Sequence, residues 1–298
     1  MVGILLVHGR SRPLFGPVEM KEQWLVALRS GFDAAGLDVP FVDEDVRLPW
    51  YGGNLTHLVG GVARAEAERV SLRGDLPRDE REFVAEVVRA VADELAFTPE
   101  QLDRVTAPAD AGGGPDDWGH VRTVLAAVDA YVPGMSGATV AFVARECFGY
   151  LTDPRLRQMI DDGAAQAGPA SGPVVVLGHS LGAVIAYHVL RSHPAAQDWD
   201  VPLLLTMGAP LGWQPVIRAL TRLETRRVPA PVRAWVNVRD RLDAVTAGGI
   251  DGRLVPAGSV DEESGVVNPE DGRHAIEYYL ADPLVAGHMV AAAAAVAG

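Results

Sequence analysis

Residues 174–186 read Val174-Val175-Val176-Leu177-Gly178-His179-Ser180-Leu181-Gly182-Ala183-Val184-Ile185-Ala186. Four consecutive apolar residues, three of them β-branched, describe a strand buried on both faces, as in a parallel sheet covered by helices. The small residues Gly182, Ala183 and Ala186 open a helix behind it. Between the two lies Gly-x-Ser-x-Gly, a common pattern by itself that gains meaning from a strand–turn–helix setting. A side chain at Gly178 or Gly182 is expected to collide with neighbouring backbone, so Ser180 should sit on a strained turn above the carboxyl edge of the sheet. There the amide of Leu181 would face the place where an oxyanion forms.

On either side of this stretch, short Val/Ile/Leu runs alternate with segments of helical spacing, which gives an α/β fold class. Strands are expected at Gly3–Val7, near Val39–Val46, at Pro173–Leu177, Pro202–Met207, Val232–Val238 and Arg253–Pro256. Helices are expected at Val18–Ala35, Leu181–Ser192, Gln214–Leu223 and from Pro283 onward, where Asp282-Pro283 suits an N-cap and first helical residue. Roughly 120 residues separate the second strand from the third, where a crossover helix of a dozen would suffice. The spacing of Phe83, Val84, Val87, Val88, Val91 and Leu95, then of Val121 to Val132 and Val140 to Leu151, marks three or four helices of an insertion. This divides the chain into a core of residues 1–51 and 152–298 and a helical cap of residues 52–151, with Pro154 to Ala167 as the crossover helix.

The chain has 298 residues, a net charge of −13 and 48% hydrophobic residues, a composition that excludes disorder and makes nucleic acid an unsuitable partner. Its single cysteine, Cys147, permits no internal disulfide and no multi-cysteine zinc site. The opening run Met1 to His8 is too short for a membrane span and has no charged leader, so a cytoplasmic protein is expected.

With its Gly178-His179-Ser180-Leu181-Gly182 turn and its order of strands and helices, the chain resembles the α/β-hydrolase family, and within it the serine esterase and lipase branch. No residues ahead of Gly3 correspond to the family's two antiparallel leading strands, so a reduced, mostly parallel sheet of about six strands is expected, with the cap inserted between the second and third. The resemblance implies a nucleophilic Ser180, a histidine base and an acid in the chain order Ser…Asp…His, with an oxyanion hole shared between two loops. His8-Gly9-Arg10 is similar to the family's His-Gly turn, which implies that the amide of Arg10 is the second oxyanion donor and that His8 braces the loop. After the strand ending at Val238, the run Asp240-Arg241-Leu242-Asp243-Ala244-Val245 matches the family's Asp-x-x-Asp-x-Val, which favours Asp243 as the acid over Asp240. Of the eight histidines, the implied order leaves His274 as the base, with His288 as the fallback.

Gly9, His179, Met207 and Trp50 are the further candidates for the substrate pocket, alongside His8. The implied reaction is hydrolysis of a carboxylic ester that carries an apolar part, a small-molecule substrate, with no metal and no cofactor. An acyltransferase or thioesterase would use the same residues, and a catalytically silent binding module would retain the pocket without turnover. Homo-oligomerisation through the cap is a further expectation that the sequence leaves open.

Overall fold

The structure is a computed structural model and describes residues 2–9, 16–51, 54–61, 64–105, 118–223 and 226–297. Six strands, β1 (Gly3–Val7), β2 (Val46–Arg47), β3 (Val174–His179), β4 (Leu204–Met207), β5 (Trp235–Asp240) and β6 (Asp261–Val266), form one sheet. Their spatial order is β2-β1-β3-β4-β5-β6, and every neighbouring pair is parallel. The chain thus moves outward from β1 to β2, then returns to place β3 on the other side of β1. Such a reversal leaves a crevice at the carboxyl ends of the two central strands, where ligands of parallel sheets bind.

Helices cover both faces. On one side α1 (Pro17–Ala35), α11 (Ile276–Leu280) and α12 (Pro283–Ala297) pack Trp24, Leu28, Phe32, Tyr279 and Met289 against the side chains of Ile4, Leu6, Val175, Leu177 and Leu205. The opposite set of strand residues, Leu5, Val7, Val174, Val176 and Leu204, faces α8 (Pro154–Gln166), α9 (Leu181–Ser192) and α10 (Gln214–Leu223). Alternation of side chains along each strand accounts for the two separate cores. The α8 helix starts where Asp153 accepts hydrogen bonds from the amides of Arg155 and Leu156, and Pro154 fills its first position.

Residues 52–151 contain six helices among the described residues: α2 (Asn54–His57), α3 (Arg64–Arg73), α4 (Arg78–Leu95), α5 (Pro99–Arg104), α6 (Gly119–Tyr131) and α7 (Gly137–Thr152). The sequence pattern marks only three or four, because α2 and α5 have four and six residues and are too short to show a period. Helix α7 lies at the centre, with its Val140, Ala144, Cys147 and Leu151 in the same continuous core as β3 and α9. Its Arg145 is buried and donates to Glu80 of α4 at 2.6 Å and to the Ala67 carbonyl of α3 at 3.0 Å.

Strands β3, β4 and β5 are shifted by one to three residues at one or both ends from the sequence expectation, and two strands depart from it further. Instead of spanning Val39–Val46, β2 is confined to Val46–Arg47, because residues 43–45 wind into a single tight turn closed by the Asp45 amide on the Val42 carbonyl. Instead of Arg253–Pro256, the last strand is Asp261–Val266. The apolar pair Leu254-Val255 is buried in a turn whose Arg253 amide bonds the Asp251 carboxylate and whose Leu254 amide bonds the Asp251 carbonyl.

Candidate active site

Ser180 follows β3 directly and precedes the first residue of α9. Its φ of 54° and ψ of −130° are strained for any residue with a side chain. The two flanking glycines make the turn sterically feasible. A Cβ at Gly178 would stand 2.8 Å from the Ala183 Cα, and one at Gly182 would stand 2.6 Å from the carbonyl carbon of His8. The turn is tied to the adjacent strand by the Ser180 amide, which donates to the Met207 carbonyl at 3.1 Å.

His274 lies in the loop between β6 and α11, and its Nε2 is 3.0 Å from the Ser180 Oγ. Its Nδ1 is 2.7 Å from Oδ2 of Asp243, in the bend after β5. A carboxylate only accepts, so Nδ1 carries the proton and Nε2 is left to accept from the serine hydroxyl. Asp243 is fully buried and its acceptors are occupied from three directions. Oδ1 receives the Val245 amide at 3.0 Å, and Oδ2 receives both His274 Nδ1–H and the Tyr279 hydroxyl, the latter at 2.8 Å.

Asp240, the alternative acid, is committed elsewhere. Its Oδ1 accepts the Leu242 amide at 2.8 Å, and its Oδ2 accepts the Asn268 amide at 2.8 Å and Arg273 Nη1 at 2.7 Å. Arg273 also donates through Nε to the Pro133 carbonyl at 2.7 Å, and Asn268 donates its side-chain amide to the Arg273 carbonyl at 2.7 Å. The loop carrying His274 is therefore held to the sheet on one side and to the α6–α7 connection on the other.

His179 is buried beside His274, with ring centroids 4.9 Å apart, and its Nε2–H donates to the His274 carbonyl at 3.1 Å. Burial, then the nearby His274, hold its pKa well below the usual 6.5, while the carbonyl opposes them. His8 is also buried, and its Nε2 is 2.8 Å from the Pro49 carbonyl. Burial lowers its pKa against the opposing pull of the Gly9 and Pro49 carbonyls. Its ring packs 4.7 Å from that of Tyr51, which fixes the turn after β1 to the segment following β2. Gly9 lies against the first amide of α9, since a Cβ there would be 3.3 Å from the Leu181 nitrogen. That Leu181 amide, at a helix N-terminus, has no acceptor within its own helix. Arg10 lies outside the described residues.

A cavity of about 280 Å³ opens over Ser180. His8, Gly9, His179 and His274 line it near the serine. Met20, Gln23 and Trp24 of α1 form one wall, and Thr139, Phe142, Val143 and Glu146 of α7 another. Met207 and Trp50 are not among its lining residues. The Met207 side chain is buried in the core beneath α1 and α12, because side chains alternate along β4 and only its carbonyl reaches the serine turn. Trp50 is 43% exposed, its ring 6.0 Å from His8. His288, the fallback base, faces Glu263 at 3.5 Å on α12, while His188 and His193 pair with Asp161 and Asp162.

Tyr279, Arg273, Asn268 and Glu146 were not anticipated from sequence. Arg273 adjoins His274, and Glu146 is the one acid within the otherwise apolar run 140–147 apart from its neighbour Arg145, so both carried a signal. Tyr279 and Asn268 carried none. Among the described residues no group of three or more His, Cys, Asp or Glu side chains is disposed to hold a metal ion, and no helix is long and apolar enough to cross a membrane. Comparison with protein-family models, curated proteins and solved structures gives no match to this chain.

A hydroxyl, an imidazole and a buried carboxylate joined in this order can pass a proton from the hydroxyl to the ring while the carboxylate stabilises the resulting cation.

Proposed function

We propose that this chain is a serine hydrolase of the α/β-hydrolase type that cleaves a compact carboxylic ester through an acyl-enzyme on Ser180. The carrying observation is the continuous line of hydrogen bonds from Ser180 Oγ to His274 at 3.0 Å and from His274 to Asp243 at 2.7 Å. In this reading His274 takes the Ser180 proton as the oxygen attacks the carbonyl, and Asp243 stabilises the imidazolium. The Leu181 amide, with Arg10 as the expected second donor, receives the oxyanion. His274 then returns the proton to the departing alkoxide. Water, deprotonated by the same ring, releases the acid.

The cavity supports a small acyl substrate with an apolar part. Its roughly 280 Å³ lies at the lower end of ordinary ligand sites, and Met20, Trp24, Phe142 and Val143 supply apolar walls. Incubation with a fluorophosphonate probe should label Ser180 in the native chain and not in Ser180→Ala, and activated esters of short acyl chains should be turned over in preference to long ones. Absence of labelling at every pH from 6 to 9 would overturn the proposal. Labelling without release of acid to water would redirect it to acyl transfer.

A further inference from the structure

We propose that Tyr279 is a positioning residue of this site, its hydroxyl holding Asp243 Oδ2 on His274 Nδ1 and tempering the charge that the carboxylate presents to the imidazole. The consequence for turnover rests on the hydrolase reading; the effect on the His274–Asp243 bond does not.

The direction of the hydroxyl proton follows from its neighbours. The Asp240 amide donates to the Tyr279 oxygen at 3.2 Å, so the phenolic proton must point elsewhere, and Asp243 Oδ2 at 2.8 Å is its acceptor. Two donors therefore share one carboxylate oxygen, the Tyr279 hydroxyl at 2.8 Å and His274 Nδ1 at 2.7 Å, while the Val245 amide occupies the other. With donors from its own turn, from the histidine loop and from α11, the Asp243 carboxylate has a single orientation. Tyr279 is buried, and burial, then the nearby Asp243 charge, push its phenol well above the ordinary value, so it remains a donor throughout the working range. The other ionisable groups around the pair are Asp240 bound to Arg273, His179 in ring contact with His274, and Glu146 and Glu277 on the cavity wall.

A carboxylate oxygen that accepts two hydrogen bonds offers less charge to each donor than one that accepts a single bond. Replacing Tyr279 by Phe keeps the ring and removes the hydroxyl, and with it both the bond to Asp243 and the acceptor of the Asp240 amide. Asp243 then attracts the protonated imidazole more strongly but is free to turn. We expect the low-pH limb of the Ser180 labelling rate to move up by about half a pH unit. The limiting kcat should fall about tenfold with KM unchanged, since the bond acts on the base and not on the substrate. In an Asp243→Asn background the same replacement should change neither quantity further. A site-specific fluorotyrosine at position 279, a stronger donor in the same place, should move the limb the opposite way, to lower pH; it keeps the test open should Tyr279→Phe fail to fold.

The His274 Nδ1 proton, observed by NMR in Ser180→Ala, supplies a readout that needs no activity. Its resonance should shift downfield in Tyr279→Phe as the bond to Asp243 tightens. An unmoved limb together with an unshifted resonance overturns the assignment. A shifted resonance in a chain that never labels would sustain it and sink the hydrolase reading instead.

Discussion

Asp240 and Arg273, 33 residues apart in the chain, meet at 2.7 Å with both side chains almost fully buried. The end of β5 and the bend after it thus bind two consecutive residues of the histidine loop with their two carboxylates. Asp240 takes Arg273, and Asp243 takes His274. Removing one partner leaves the other charge buried without compensation, a loss of about 3–5 kcal/mol. Arg273→Gln should lower the denaturant midpoint accordingly, and Asp240→Asn should do the same. The two together should cost less than their sum, a coupling that a double-mutant cycle on stability will read. Simple additivity would show that the pair does not act as a unit.

The two carboxylates should separate by the property they affect. Asp243→Asn loses the acceptor that fixes the His274 tautomer, and labelling of Ser180 should fall by about 10⁴. Asp240→Asn should act mainly through stability, with a labelling rate within about tenfold of the native value at a temperature where the variant is folded. Equal losses in the two variants would remove the distinction.

Strain at Ser180 predicts an inversion of the usual order of stabilities. In a helix Ala is worth about 1 kcal/mol over Gly. At φ 54° and ψ −130° that order should reverse, with Ser180→Gly more stable than Ser180→Ala by about 1 kcal/mol or more in chemical denaturation. Both variants lack the hydroxyl, so its lost bond cancels in the comparison.

His179 and His8 make stability depend on pH. Each has a folded pKa below the 6.5 of the unfolded chain, so below pH 6.5 the unfolded chain binds protons that the folded state refuses. Their contribution is complete above 6.5 and is lost as pH falls beneath it. Denaturant midpoints measured from pH 7.5 to 5 should therefore decline. His179→Gln should decline less steeply than the native chain, and a parallel slope would contradict the buried, neutral assignment.

Residues 76–150 should not be removable. Val84, Val88, Val124 and Val140 belong to the same core as the β3 side chains, so deletion would expose the apolar sides of α8, α9 and α10 on which α4 and α7 pack. The truncated chain should lose cooperative thermal unfolding and bind hydrophobic dyes. A soluble, cooperatively folding remnant would show that the insertion is a separate unit.

Where local signals and tertiary packing agreed, the fold was readable from sequence. Gly3–Val7, Leu181–Ser192 and Gln214–Leu223 fall where apolar spacing puts them, and Ser180, His274 and Asp243 lie within hydrogen-bonding distance in the expected order. The failures share a cause. Strand β6 is an edge strand of mostly polar, partly exposed residues, and its order comes from pairing with β5 and from Asn237, which donates to Glu262 at 3.1 Å. Leu254-Val255 has the apolar character of a strand, but Asp251 closes a turn over it. Tyr279 acts through bonds to residues 36 and 39 positions away, and Asn268 through its side-chain bond to the Arg273 carbonyl within an irregular loop, and no periodic pattern encodes such partners.

Helix α7 supplies Phe142, Val143 and Glu146 to the wall above Ser180 while its Ala144, Cys147 and Leu151 anchor it in the core shared with the surrounding helices. The cavity wall and the cohesion of the fold thus draw on one continuous element. Enlarging the chamber by trimming this helix, or by cutting back Met20 or Trp24 of α1 in the core on the other face of the sheet, would subtract from the scaffold's own cohesion, whereas the half-buried Gln23 of α1 offers a position for reshaping the chamber from across the opening.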